Sequence, residues 1–240
     1  MNRQAVNPYL PSWEYIPDGE PHVFNGRVYV YGSHDRFNAP IFCVNDYVCW
    51  SAPVEDLSEW RYEGVIYRKK QDPKNPLGYH LLFAPDVCQG PDGRYYLYYA
   101  FDFLGIMSVA VCDTPAGEYK FLGHIHYADG TLWGRRRGDQ LPFDPGVLAD
   151  DDGRVWLYSG FYNAVPAILT GGHKLRCDGG TVLELEKDMV TIKTEPRVIF
   201  PKKGPGAFQG HEFFEASSIR KEGKTYIFVY LSLIHISEPT

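Results

Sequence analysis

The chain has no apolar run approaching the roughly 18 residues of a membrane-spanning helix, so no transmembrane helix and no membrane partner are expected. Its opening residues, Met1-Asn2-Arg3-Gln4, pass straight into polar, proline-containing sequence with no apolar leader core. A secretory signal is therefore not expected, and a cytoplasmic location is. Cysteine is scarce: Cys43, Cys49, Cys88, Cys112 and Cys177 are odd in number and include no C-x-x-C pair. Neither a disulfide framework nor a zinc site follows, and buried free thiols are the expectation. Charge is sparse too, at 22% of residues with a net −6, which leaves no electrostatic footprint for nucleic acid. The one basic cluster, Arg135-Arg136-Arg137, reads as a solvated loop. No metal-ligand spacing, helical periodicity, low-complexity tract or inter-domain linker is visible, and nothing in the sequence sets an oligomeric state.

What is abundant is aromatic and turn-forming: Tyr 18, Phe 14, Trp 5, Gly 24 and Pro 18 in 240 residues. That load argues against disorder and against a helical bundle, and points to an all-β chain large enough to bury a core without staples.

A repeat gives the architecture. Four segments share a short apolar strand, then Asn, Asp or Glu before Gly, then a basic residue and an aromatic β-rich strand. Their turn glycines are Gly26, Gly93, Gly153 and Gly223, spaced by 67, 60 and 70 residues. Asn-Gly and Asp-Gly between strands favour tight type I′ hairpins, because both residues tolerate positive φ. The spacing holds about four short strands per unit, and four-stranded units repeated around an axis make a β-propeller. Ile41–Trp50 and Met107–Cys112 read as third strands, and 60–64 and 119–123 as outer strands.

A carboxylate travels with the repeat. Asp18, Asp86, Asp144 and Glu215 lie eight, seven, nine and eight residues before the four turn glycines. In a propeller such positions converge at one end of the channel, where like charges are costly unless they serve chemistry or a cation. Two carboxyl groups, one acid and one base, are what glycosidic cleavage needs, and aromatic rings suit sugar faces. Glu215 follows Phe213-Phe214, an apolar setting that favours its protonated form and suits a general acid. Asp18 lies among polar neighbours and suits the base that activates water. Asp86 is expected to keep Glu215 protonated and oriented.

These motifs resemble glycoside hydrolase family 43, five-bladed propeller enzymes acting on arabinose- and xylose-containing glycans. The resemblance lies in Pro17-Asp18-Gly19-Glu20-Pro21 with Tyr31-Gly32-Ser33-His34-Asp35, in Phe83-Ala84-Pro85-Asp86-Val87, in Phe143-Asp144-Pro145, and in Phe214-Glu215-Ala216-Ser217-Ser218-Ile219. It spans about residues 7–230. The first motif reads Pro-Asp-Gly where the family more often has Ala-Asp-Pro, and the acid is kept. The resemblance implies Asp18 as general base, Asp86 as pKa modulator and Glu215 as general acid. It also implies an inverting reaction with the base and acid carboxyls about 6.5–9.5 Å apart. The implied function is an α-L-arabinofuranosidase or β-xylosidase acting on oligosaccharides; an endo-arabinanase and a non-catalytic sugar-binding propeller are the alternatives. Asp144, Phe83, His34, Phe161 and His211 are candidate sugar contacts. No cofactor is required, and calcium is possible because some family members hold a channel cation.

The repeat stops within its fourth unit, so about three and a half blades of five are expected. The last ten residues, Leu231–Thr240, resemble a translated sequencing adaptor. Residues 1–230 are thus expected to form an incomplete catalytic domain and 231–240 a non-native tail. Unpaired strand edges would make such a chain aggregation-prone and weakly active or inactive.

Overall fold

The computed structural model describes residues 8–203 and 209–232. Three consecutive antiparallel meanders, each four-stranded, are followed by a two-stranded hairpin. The first sheet holds β1 (Glu20–Phe24), β2 (Arg27–Tyr31), β3 (Tyr47–Pro53) and β4 (Arg61–Tyr67) in that order. The second holds β5 (Asp86–Gln89), β6 (Tyr95–Ala100), β7 (Met107–Cys112) and β8 (Lys120–His124). The third holds β9 (Gly146–Ala149), β10 (Val155–Phe161), β11 (Gly179–Leu185) and β12 (Arg197–Pro201). The hairpin is β13 (Phe213–Glu222) with β14 (Thr225–Ser232). The expected all-β repeat is therefore present, with a single 3₁₀ turn at Lys69–Gln71 the only helical element among the described residues. No described helix is long and apolar enough to cross a membrane. Of the expected tail, Leu231 and Ser232 complete β14, and 233–240 lie outside the described residues.

Sheets stack face to face because their middle strands are apolar on both sides. All six residues of β6 are buried. Side chains alternate along a strand, so Tyr95, Leu97 and Tyr99 pack toward Tyr29, Tyr31 and Cys49 of the first sheet. Tyr96 and Tyr98 pack the other way, toward Val155, Leu157 and Leu183 of the third. A strand buried on both faces explains the Tyr-rich runs better than an alternating pattern would.

The turns follow two chemistries. Asn25 and Gly26 both have positive φ (50° and 77°) and close a two-residue hairpin between Phe24 and Arg27, as type I′ demands. The Asp-Gly turns of the second and third sheets differ from that expectation. Gly93 N–H donates to Gly90 O at 2.9 Å, and Gly153 N–H to Asp150 O at 2.9 Å, and in each the glycine alone is left-handed. These are type I turns followed by a left-handed glycine. Pro91, with φ fixed near −65°, suits the first central position of the type I turn in the second sheet. The third strand of the first sheet starts at Tyr47, later than its apolar run suggests, because 41–46 is bend and irregular backbone with Cys43 at φ 56°.

Candidate active site

Three of the four repeated acids meet. Asp18, Asp144 and Glu215 line one cavity of about 280 Å³, roofed by Phe42, Phe83, Phe103, Phe143 and Phe161. Phe143 lies against Phe161 with centroids 4.6 Å apart, and Phe103 stacks parallel on Phe143 at 5.5 Å. The fold brings each acid there differently. Asp18 and Asp144 each sit two residues before the first residue of an inner strand, β1 and β9, in left-handed turns with φ 54° and 45°. Glu215 lies within β13, where the register with β14 shifts on both sides of it and Ala216 has φ 60°. Such a bulge re-aims a side chain out of the ladder.

Asp86 does not join them, which corrects the expectation that it acts on Glu215. It is the first residue of β5 and so corresponds to Glu20 in β1, not to Asp18. The position matching Asp18 and Asp144 in the second sheet is Ala84, which does line the cavity. The local sequence hides this, because proline precedes Asp18 and Asp86 alike. Asp86 is fully buried deeper in the channel. It accepts from Val87 N–H at 2.7 Å and Val147 N–H at 2.6 Å, and bonds His22 Nε2 at 2.6 Å. It ties β1, β5 and β9 together.

Electrostatics separates the three clustered acids. Burial, and then the negative charge of Asp18, raises Glu215 to about 7. Asp144 is held well above the usual carboxylate range by burial, then by Glu215 and Asp18, partly offset by the Ala216 N–H that its Oδ2 accepts at 3.2 Å. Crowding of negative charge in a buried place thus favours the protonated forms of Glu215 and Asp144. Asp18 is exposed to solvent.

Phe83 and Phe161 line the cavity as anticipated. His34 does not: its ring bonds Asp46 O at 2.8 Å and Glu14 Oε1 at 3.0 Å, and Glu14 also takes Trp50 Nε1–H at 2.8 Å. That histidine braces the N-terminal segment. His211 is exposed and does not line the cavity, and its carbonyl accepts from Tyr230 OH at 2.5 Å. Phe42, Cys43, Phe103 and Ser33 were not legible as site residues. Phe42 and Phe103 come from loops whose course no local pattern sets.

Glu20, His22 and Asp86 bring ligand-type atoms within 4.8 Å of one another in the channel, a grouping that sequence spacing hides. Calcium takes six to eight oxygens, waters included, and of this set only the two carboxylates offer oxygen. His22 Nε2 is bonded to Asp86 Oδ1, and Glu20 Oε1 accepts from Ser218 Oγ at 2.7 Å and from the Arg220 guanidinium. Arg220 already supplies the local positive charge.

Fold and site together define a β-propeller with carboxylates and aromatic rings gathered at one end of its channel. The model for glycosyl hydrolases family 43 matches residues 17–233, and the chain belongs to that family. A xylosidase/arabinosidase of Thermoclostridium stercorarium is 60% identical over 238 residues, covering 98% of this chain and 48% of that protein. The chain thus spans about half the length of this relative. Xylosidase/arabinosidase 43A of Humicola insolens is 31% identical, covering 90% of this chain and 72% of that protein. Among solved structures, a compost-metagenome β-xylosidase/α-arabinofuranosidase, in complex with xylotriose in a calcium-free form, superposes with TM-score 0.66 at 26% identity. That match covers 95% of this chain and 73% of the other.

Proposed function

We propose that the whole protein is an inverting glycoside hydrolase that cleaves arabinose- or xylose-containing oligosaccharides, of the α-L-arabinofuranosidase or β-xylosidase type. The observation that carries this is Glu215, raised to about 7 and facing Asp18 across one phenylalanine-roofed cavity. Glu215, which holds its proton up to about pH 7, donates it to the leaving-group oxygen, and solvent-facing Asp18 takes a proton from the attacking water. Asp144 fills the place expected of Asp86: it bonds the Ala216 N–H and so fixes the backbone next to the acid. The phenylalanines keep water off the acid and give the sugar rings apolar faces to lie on.

The architecture we propose for the whole protein is five-bladed, with three blades and half of a fourth in this chain. The test is turnover of aryl arabinofuranoside, aryl xyloside and linear arabinan by the whole protein, with product anomers followed by NMR. Inverted product from an aryl glycoside, abolished by Glu215→Gln, is expected. Cleavage of arabinan alone would move the assignment to an endo-arabinanase, and turnover retained by Glu215→Gln would remove Glu215 as the acid.

A further inference from the structure

Asp18 faces solvent and sits in a left-handed turn, so neither burial nor backbone preference holds its carboxylate in one orientation. Two consecutive residues after β2 do. The first is Gly32: a Cβ there would come within 2.5 Å of Ile16 Cγ2 and 2.7 Å of Pro17 O. Only a residue without a side chain lets the Asp18 turn pack this closely against the end of β2. The second is Ser33, which is fully buried and whose Oγ lies 2.9 Å from Asp18 Oδ2.

The proton on that hydroxyl can be placed. An ionised carboxylate only accepts, so between Ser33 and Asp18 the serine donates. On its other side Ser33 meets the Cys43 thiol, also buried. Burial pushes that thiol up to about 12, so it remains neutral and does not compete as an anion for the serine proton.

We infer that Ser33 is the positioning residue of the reaction: buried between Cys43 and the acid turn, it fixes the Asp18 carboxylate in the orientation that meets the attacking water. Its role is one of aim, since a general base must lie within hydrogen-bond reach of the proton it removes. The inference rests on Asp18 being the base, and the test separates the two ideas.

In the whole protein, Ser33→Ala is expected to lower kcat on an aryl glycoside about tenfold, with KM within about twofold and an unchanged circular dichroism spectrum. Ser33→Thr, which keeps the hydroxyl, is expected to recover most of that loss. The decisive measurement is a double-mutant cycle read on azide-rescued turnover, in which azide replaces the water that Asp18 would activate. Ser33→Ala in an Asp18→Ala background is expected to cost less than about twofold, because a residue acting through Asp18 has nothing left to aim. A full tenfold loss in that background would overturn the inference, as would a Ser33→Ala enzyme with wild-type kcat. Asp18→Ala with undiminished turnover would instead overturn the assignment of the base.

Discussion

Asp144 shows what the site demands of single residues. A carboxylate whose folded-state titration lies above its unfolded value favours folding most below about pH 4, and its burden grows as pH rises toward the folded value. At pH 7, Asp144→Asn should therefore raise the melting temperature, by about 2–4 °C for each kcal/mol of relieved strain, while lowering turnover. Calorimetry paired with an aryl-glycoside assay checks both, and a lower melting temperature would refute the burial argument. With Glu215 as the proposed acid, kcat/KM should fall as pH rises through about 7, because the acid then loses its proton. A profile flat to pH 9 would contradict that assignment. At this scale the sequence was half legible. The apolar setting of Glu215 is written in Phe213-Phe214, and the acid register is visible from Asp18 to Glu215. Asp86 misled because a strand's side-chain period is two. Displaced from the Asp18 position to the head of its strand, it lands deeper in the channel beside Glu20 and His22.

The weakest element is the β13–β14 hairpin, which has two strands where the other sheets have four. One of its ties to the third sheet is Asp150, in the turn between β9 and β10. Lys221 pairs with that carboxylate and Tyr226 OH donates to it at 2.5 Å, which holds Asp150 down at about 2. A lowered acid contributes stability above its unfolded value near 4 and loses it as pH falls toward 2. Hydrogen exchange by mass spectrometry should then show 225–232 opening first between about pH 4 and 2, ahead of β6. Asp150→Asn should produce the same early opening at pH 7; equal protection of both strands in the variant would refute it. Element identity was the most readable level, since Met107–Cys112 matches β7 residue for residue. Turn type was less so, because an Asp-Gly pair can form the centre of a type I′ turn or, as at Gly93 and Gly153, close a type I turn.

Across the whole molecule, the exposed surface records which neighbours are present. Among the described residues no strand pairs with the outer edge of β14, and Ile227 and Val229 are 42% and 60% exposed beside it. An open edge with apolar side chains invites edge-to-edge pairing. The 240-residue chain on its own should self-associate with rising concentration in light scattering, and Val229→Lys should suppress this; a monodisperse monomer at all concentrations would refute it. The propeller was legible because it repeats, whereas Phe42 and Phe103 were hidden in loops that no repeat fixes. The docking of β13 on β1 has a temporal side as well. Ser218 and Arg220 reach back to Glu20, and Arg220 also holds Pro21 O at 2.7 Å, so one end of the chain's fold is fastened to the other. Glu215 therefore meets Asp18 only after almost 200 intervening residues have been made, a delay of roughly 10–40 s at ribosomal speed. On the proposed assignment a nascent chain would carry its base long before its acid, and would be chemically silent at least until β13 docks.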